Sequence, residues 1–357
     1  MISGFVRGDR IPDIVRPKPD GEPCILYDLQ VGQPILLLVF DNPAEAHTPE
    51  VLRHITASGD AWVNITRIAM LQCSPMQCRQ FAEGFASAGV TLLADDGVAT
   101  MHLLGSAHAD KRLITAFAMD ANFRVIQRIE YHSGENLAEF MQRLAAVYRD
   151  FPQHQPLTMG QQAPVLFIPR VFDAAMCGEL IGYFNQVGGQ PSGSAYIEGD
   201  KAYWRVHPEY KMRRDVYLKE GVWLERIKEL LVRRVLPEIK RCFNFQVSQH
   251  EVFKLVCYDA QTGGYFRPHR DNESKDTQHR RFAMTLNLNT GDYTGGLLRF
   301  PEFGADLYQP GRGDALVFSC SLLHEVTPVT SGSRYALLGF FFSAAESMQN
   351  VEYVTSN

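Results

Sequence analysis

Two histidines and one carboxylate have the types and the spacing of a metal site. His269 and Asp271 are two positions apart, and in an extended segment such residues point to the same face. His324 comes from a distant segment and could supply the third ligand that a single strand cannot. A set of two histidines and one carboxylate binds Fe(II) on one face and leaves positions open for a co-substrate and O2. The pattern therefore predicts a facial triad of His269, Asp271 and His324.

A permanently charged side chain, Arg334, follows the third candidate ligand. Its planar fork suits the capture of a carboxylate through two parallel hydrogen bonds. We expect Arg334 to hold the far end of a dicarboxylate whose near end chelates the metal. The rival is Arg312, which lies among Pro and Gly residues typical of an exposed turn.

Short apolar segments surround these residues and are separated by Gly, Pro and Asp clusters. They occupy residues 281–289, 297–300, 314–318 and 335–342. Such spacing is typical of an all-β sandwich or barrel. The mouth of a barrel is a natural place for a small-ligand site.

The ordered motifs of this region resemble those of the Fe(II)/2-oxoglutarate dioxygenases, and of their prolyl 4-hydroxylase-like branch in particular. The matching pieces are Cys257-Tyr258, Gly263-Gly264-Tyr265, His269-Arg270-Asp271-Asn272, Gly295-Gly296-Leu297-Leu298-Arg299-Phe300-Pro301-Glu302, His324-Glu325-Val326 and Arg334-Tyr335-Ala336. The likeness extends less strongly back to about residue 164. It therefore covers roughly the C-terminal half of the chain.

The resemblance implies a double-stranded β-helix (jelly-roll) oxygenase domain with buttressing helices over residues 165–357. It implies that His269, Asp271 and His324 bind iron and form the catalytic centre. Arg334 would pair with the distal carboxylate of 2-oxoglutarate, and Tyr258 would hydrogen-bond that co-substrate. Thr285 and Asn287 share a strand face and would point into the barrel as further co-substrate contacts.

The activity implied is hydroxylation of an unactivated C–H bond, with release of succinate and CO2. The co-substrates and cofactors would be Fe(II), 2-oxoglutarate and O2, with ascorbate as a further reductant. The branch favours a prolyl or other amino-acid or peptide substrate. Two alternatives remain: a small or carrier-bound metabolite in natural-product synthesis, or an oxygen or redox sensor that acts through partner binding.

The N-terminal half, residues 1–150, alternates apolar strand-like runs with amphipathic helical segments, which predicts an α/β sheet. The run at 35–40 is continuously apolar and predicts a strand buried on both faces. The order resembles the peroxiredoxin branch of the thioredoxin fold, which opens with a segment like Gly8–Asp13. That family needs a reactive cysteine after the first core strand, and residues 42–51 contain none.

We therefore expect an N-terminal domain that is silent toward peroxide and that docks a protein partner or a carrier-bound substrate, or stabilises the oxygenase. Cys73 and Cys78 are five positions apart, which is not a CxxC motif. Two interpretations remain for them, ordinary thiols at a helix start or a redox-sensing pair.

Between the two halves, Pro and Gln residues predict a linker at 151–164. Further on, the base and aromatic residues of 201–220 predict a solvated loop packed against the barrel, or a lid over it. The net charge is −5, which argues against a nucleic-acid partner. No signal peptide or membrane-spanning run is present, and seven cysteines without a regular framework suit a reducing cytoplasm.

Overall fold

The computed structural model describes residues 4–41, 47–56, 62–83, 89–97, 99–105, 112–149, 151, 158, 160–198 and 201–345. The chain forms two compact units, Met1–Pro156 and Leu157–Asn357. Half of the predicted linker at 151–164 lies outside the described residues. None of the helices described is both long and apolar enough to cross a bilayer.

The N-terminal unit contains one five-stranded sheet. The strands described in this unit are β1 Val15–Pro17, β2 Pro23–Ile25, β3 Ile35–Phe40, β4 Thr66–Leu71, β5 Val90–Ala94, β6 Arg112–Met119 and β7 Val125–His132. The helices described are α1 His47–Thr56, α2 Pro75–Glu83, α3 Ala99–Leu104 and α4 Leu137–Arg149. The sheet order is β5-β4-β3-β6-β7, while β1 and β2 pair separately. Strands β3, β4 and β5 are parallel, and β6 and β7 are antiparallel to their neighbours.

Strand β3 is buried on both faces, as its apolar run predicts. All six of its residues are buried. Alternate side chains enter two apolar clusters, one containing Leu36 and the other containing Leu37. Helices α1, α2 and α4 contribute to the first of these clusters, so the α/β layering follows from a central strand without a polar face.

The C-terminal unit is built mainly of strands. These are β8 Leu166–Ile168, β9 Gln190–Pro191, β10 Ser194–Glu198, β11 Lys201–Arg205, β12 Lys211–Met212, β13 Arg214–Leu218, β14 Gln249–His250, β15 Phe253–Asp259, β16 Tyr265–His269, β17 Phe282–Asn287, β18 Thr294–Gly295, β19 Leu298–Arg299, β20 Leu307–Tyr308, β21 Ala315–Ser319, β22 His324–Val326, β23 Val329–Ser331 and β24 Ser333–Phe342. The helices are α5 Ala174–Val187, α6 Val222–Arg234 and α7 Leu236–Phe243.

Two antiparallel sheets organise this unit. The larger has the order β8-β21-β17-β24-β15-β13-β9, with β14 also on β24, and the smaller has the order β12-β16-β22-β19-β20. Alternate residues of β15 separate two cores: Leu255 packs with the helices, whereas Val256 packs with Phe300 and Val326 of the smaller sheet's side. Helices thus cover one face of the large sheet, and the small sheet covers the other, as the jelly-roll expectation requires.

The prediction of a loop over residues 201–220 is wrong. This segment contains β11, β12 and β13, and β13 pairs with β15 while β12 pairs with β16. The sequence misled because Lys211 and Arg213 face a polar cavity. The usual alternation of apolar and polar residues is therefore absent from these strands.

A substitution at Gly313 tests the close contact between the segment before α5, which contains Phe172, and the segment before β21 of the large sheet. Its φ is +78°, its amide donates to the Asn287 carbonyl oxygen, and a Cβ there would overlap the Phe172 carbonyl oxygen. We expect Gly313→Ala to lower the urea midpoint of unfolding clearly more than Gly291→Ala. The control position Gly291 has φ +103° and open space around it. The Gly291→Ala substitution should therefore cost only about 1–2 kcal/mol, through backbone strain alone. Equal losses from both variants would contradict this packing.

Candidate active site

The two candidate histidine ligands face each other across paired strands of the small sheet. β16 ends at His269 and β22 begins at His324, and these two residues are direct partners in the ladder. The register shifts between Phe266 and His269, and such an irregularity re-aims a side chain. Asp271 follows two residues after the strand, and its amide donates to the Cys320 carbonyl oxygen.

The three side chains form one cluster. The Nε2 atom of His269 lies 3.6 Å from Oδ1 of Asp271, and Nε2 of His324 lies 3.4 Å from Oδ2. All three ligand atoms fall within 4.8 Å of one another. The spacing that predicts a triad thus corresponds to three converging donors.

Both histidines present the same nitrogen to the cluster. Nδ1 of His269 is 2.7 Å from the Arg267 carbonyl oxygen, and Nδ1 of His324 is 3.0 Å from the Leu322 carbonyl oxygen. A carbonyl can only accept, so each Nδ1 carries the proton and each Nε2 offers a lone pair. This is the tautomer and support that metal-binding histidines use. The donor set therefore fits a divalent metal such as Fe(II).

Burial keeps His269 in its ligand form. The side chain is stacked on Phe266, with ring centroids 3.5 Å apart. Burial, reinforced by His324 and opposed by Asp271, lowers the pKa of His269 to about 4. The imidazole is thus neutral across the physiological range and needs no proton release before it binds a metal.

Arg334 is buried in the wall of the cavity that the three candidate ligands also line, and its hydrogen-bond partners are all neutral. Its Nη2 donates to Oγ1 of Thr285 at 3.0 Å and to Oδ1 of Asn287 at 2.9 Å. Its side chain is 2% exposed, and its Nε atom has no hydrogen-bond partner. No carboxylate of the described residues pairs with it. A buried guanidinium without a counter-charge is costly, so the site fits an incoming carboxylate.

Of the remaining predicted residues, two line the cavity and one, Asn287, contacts Arg334 from behind the cavity wall. Tyr258 and Thr285 line a cavity of about 460 Å³ that also contains His269, Asp271, His324 and Arg334. Asn287 is buried and is not part of that wall. Its amide donates to Thr290, Tyr293 and the Pro310 carbonyl, which fixes the oxygen that Arg334 contacts. Asn287 is predicted to contact the co-substrate, and in this structure its oxygen accepts from Nη2 of Arg334.

Arg213 and Asp215 are a part of the site that the sequence analysis missed. Arg213 forms a bidentate pair with Asp215, at 2.8 and 3.1 Å, and donates from Nη1 to the Tyr258 hydroxyl at 3.1 Å. Burial alone would raise the pKa of Asp215, but Arg213 and Ser192 hold it below its usual value. The two residues have the same i, i+2 spacing as His269 and Asp271, and that spacing was the available signal.

A second missed pair holds the segment that carries Asp271. Arg280 forms a bidentate ion pair with Glu251 at 2.6 and 2.8 Å, and its third donor reaches the Asp271 carbonyl at 3.0 Å. Its guanidinium also lies 4.0 Å from the Phe340 ring centroid. Arg280 is therefore locked in place and in turn fixes the backbone of the third candidate ligand.

Metal binding tests the cluster directly. We expect His269→Ala and Asp271→Ala to weaken binding of Mn(II), a redox-stable stand-in, by at least about tenfold. Removal of one of three donors leaves the other two unable to complete the face. The control His250→Ala changes an exposed histidine outside the cavity and should leave the Mn(II) affinity unchanged in a calorimetric titration. Equal affinity in wild type and Asp271→Ala would contradict the assignment.

Comparison with known proteins agrees with this geometry. The sequence model of the 2OG-Fe(II) oxygenase superfamily matches residues 253–342. A PKHD-type hydroxylase of Acaryochloris marina is 30% identical over 130 residues, which are 36% of this chain and 57% of that protein. Another from Idiomarina loihiensis is 34% identical over 92 residues, 25% of this chain and 42% of that protein. The match thus spans about half the length of these curated relatives.

More distant relatives and solved structures are also similar to parts of this chain. Human procollagen-lysine,2-oxoglutarate 5-dioxygenase 2 is 25% identical over 193 residues, 50% of this chain and 24% of that protein. A Pseudomonas putida prolyl-4-hydroxylase structure covers 51% of this chain and 93% of its own, at 18% identity and a TM-score of 0.39. A Mycobacterium tuberculosis peroxidoxin structure aligns with 42% of this chain and 99% of the peroxidoxin chain, at 17% identity and a TM-score of 0.36. The sequence matches identify a 2OG-Fe(II) oxygenase domain in the C-terminal half of this chain.

Proposed function

We propose that this protein is an Fe(II)- and 2-oxoglutarate-dependent dioxygenase that hydroxylates an unactivated C–H bond and releases succinate and CO2. One observation carries the proposal: Arg334, buried without a counter-charge, shares a cavity with the His269, Asp271 and His324 cluster. A metal-chelating acid with a second carboxylate at its far end satisfies both features at once. 2-Oxoglutarate is such an acid.

Each residue then has a defined task. His269, Asp271 and His324 would hold Fe(II), which together with 2-oxoglutarate and O2 supplies the oxidising chemistry. Arg334 would bind the distal carboxylate in a charge-assisted, bidentate manner. The remaining support comes from neighbouring groups.

The Tyr258 hydroxyl accepts from Arg213, so its own proton points elsewhere and is free to be donated to the co-substrate. Phe266, Phe318 and Val326 line the cavity beside the histidines. They would keep water away from the reacting groups. Ascorbate would serve as a further reductant.

We propose a prolyl or other amino-acid or peptide substrate. The names of the matched relatives support this class, since they are PKHD-type hydroxylases and a procollagen-lysine dioxygenase. The cavity of about 460 Å³ is within the range of small-molecule sites. It has room for the co-substrate and one amino-acid side chain.

A second candidate substrate class is a small molecule with its own carboxylate, and two lysines favour it. Lys211 and Lys254 both line the cavity. Neither forms an ion pair with a carboxylate of the described residues. Burial, with Arg213 adding repulsion, lowers the pKa of Lys211 to about 7 and also lowers that of Lys254. An anionic substrate group would relieve this repulsion, as a free amino acid or a small metabolite could.

We propose that residues 1–150 form a thioredoxin/peroxiredoxin-like domain without a peroxidatic cysteine, joined by a linker at 151–164 to the oxygenase domain at 165–357. Support comes from the sheet order, in which three parallel strands are flanked by an antiparallel pair. Residues 42–46, where the peroxidatic cysteine would lie, are outside the described residues. This domain would dock a protein partner, and partner capture that survives His269→Ala would favour the alternative role of an oxygen or redox sensor.

We also propose a cytoplasmic location. All seven cysteines lie among the described residues, and none is paired in a disulfide. Cysteines that form no disulfide are typical of a reducing compartment.

The role of Arg334 is tested by succinate formation from 2-oxoglutarate under air with added Fe(II). We expect Arg334→Met to raise the KM for 2-oxoglutarate about ten- to hundredfold, since a hydrogen-bonded charge pair contributes about 1.5–3 kcal/mol. Arg334→Lys should keep part of the affinity, because it keeps the charge and loses the fork. The control Arg312→Met removes an exposed arginine paired with Asp292 and should leave the KM unchanged. An unchanged KM in Arg334→Met would refute the role.

The lysine pair is tested by comparing substrates with and without a carboxylate. Free amino acids and their amides would be assayed for stimulation of succinate formation. We expect Lys254→Met to raise the KM for the free acids and to leave the KM for the amides unchanged, because only the acids carry the group that the ammonium binds. Lys228→Met, in an exposed ion pair on α6, is the control. Equal effects on acids and amides would rule out an anion-binding role.

A further inference from the structure

The first turn of α2 brings two cysteines together in the N-terminal unit. Ser74 caps this helix, because its hydroxyl accepts from the Gln77 amide at 3.3 Å and its own amide donates to Oε1 of Gln77 at 3.0 Å. This reciprocal pair is a capping box. The Cys78 amide donates to the Ser74 carbonyl oxygen at 2.9 Å, which is the first hydrogen bond of the helix. Ser74 is therefore the N-cap residue.

The capping box fixes the positions of Cys73 and Cys78 relative to each other. Cys73 precedes the N-cap residue, and Cys78 is the fourth residue of the helix. These are the two positions whose side chains pack together as a hydrophobic staple. Both cysteines belong to the same apolar cluster, and each thiol shifts the pKa of the other. Thiols occupy a contact that apolar side chains ordinarily make.

We propose that Cys73 and Cys78 form a reversible disulfide, so that the N-terminus of α2 is a site of oxidation by peroxide. The capping box sets the two cysteines at the staple positions, and both lie in one apolar cluster, which is the placement that a disulfide between them needs. The disulfide would close a short loop that contains only residues 74–77. It would therefore tie the residue before the N-cap to the first turn of α2. The domain would then have a redox chemistry of its own, away from the position expected for a peroxidatic cysteine.

The two thiols are unequal, which assigns the order of the steps. Cys73 is 8% exposed and Cys78 is fully buried. The neighbouring Cys78 thiol lowers the pKa of Cys73, whereas the Cys73 thiol together with burial raises the pKa of Cys78. The more exposed and more acidic thiol is the better nucleophile at neutral pH. Cys73 is therefore the attacking residue and Cys78 the resolving one.

The chemistry balances with hydrogen peroxide as the oxidant. The Cys73 thiolate attacks one peroxide oxygen, the O–O bond breaks, and the departing hydroxide takes a proton to become water. The resulting sulfenic acid is then attacked by the sulfur of Cys78, which loses its proton as the S–S bond forms and a second water leaves. Two electrons pass from the two sulfurs to one peroxide. A small dithiol reductant reverses the reaction.

Peptide mapping of the full-length protein tests the proposal. Trypsin cleaves after Arg67 and Arg79, and the peptide 68–79 contains Cys73, Cys78 and no other cysteine. The folded protein would be treated with hydrogen peroxide, quenched, denatured and alkylated with iodoacetamide. We expect peptide 68–79 to lose both alkylation sites, to be lighter by two hydrogens, and to regain both sites after treatment with dithiothreitol. Oxygen added to Met70 or Met76 is scored separately.

Variants and an internal control make the outcome decisive. Cys78→Ser should leave Cys73 as a sulfenic acid that dimedone traps, and Cys73→Ser should leave Cys78 unoxidised. Cys177, buried at 1% exposure with its pKa raised by burial to about 12, should remain fully alkylated after denaturation. The proposal is overturned if both thiols of wild-type peptide 68–79 remain alkylated after peroxide. It is equally overturned if Cys73 accumulates as sulfinic acid with Cys78 intact, or if Cys177 oxidises to the same extent.

Discussion

The pairing of β16 with β22 is the constraint on which the candidate site depends. Backbone hydrogen bonding sets His269 opposite His324, so the distance between the two imidazoles follows from the ladder and not from flexible side chains. Each Nδ1 is then tied to a nearby carbonyl, and Arg280 ties the Asp271 backbone to Glu251. A metal would meet donors that are already oriented, which is how a protein avoids an ordering cost at the moment of binding.

The balance of charge in the cavity explains why this rigid cluster is suited to acids. Arg213 and Arg280 are neutralised by Asp215 and Glu251, and each pair supports a neighbouring group. Arg334 has neutral partners only, and the two cavity lysines have depressed pKa values. The positive charge that no carboxylate neutralises therefore lies in the wall of the cavity that also holds the candidate metal ligands. Of the cations that line the cavity, Arg213 and Arg280 are thus paired with carboxylates, whereas Arg334 and the two lysines could each bind an acidic group of a ligand.

The sequence was informative wherever chemistry and spacing acted together. His269 and Asp271 were predicted to share a strand face; the strand ends at His269 and Asp271 lies in the turn after it, and their side chains still converge with that of His324. Arg334 and Thr285 could also be found, because their strands are strongly apolar around them. The burial of both faces of β3 could be predicted from its continuous run of apolar residues. In each case a local pattern was enough to single out the residues, whereas the meeting of His269 with His324 comes from the pairing of β16 with β22.

The failures have a common cause as well. Residues 201–220 form strands although they look like a loop, because those strands are defined by pairing with distant β15 and β16. Arg213 was missed because its partners, Asp215 and Tyr258, come together only through that pairing. The contact of Cys73 with Cys78 depended on recognising Ser74 and Gln77 as a capping box. Long-range pairing and side-chain networks are beyond what local periodicity encodes.

The most direct test of the account is an anaerobic crystal structure of the full chain with Mn(II) and 2-oxoglutarate. We expect anomalous density for one metal between Nε2 of His269, Nε2 of His324 and the Asp271 carboxylate. We also expect the keto-acid end of 2-oxoglutarate on that metal and the distal carboxylate on Arg334. A metal bound elsewhere, or 2-oxoglutarate bound with its distal carboxylate away from Arg334, would contradict the central claim.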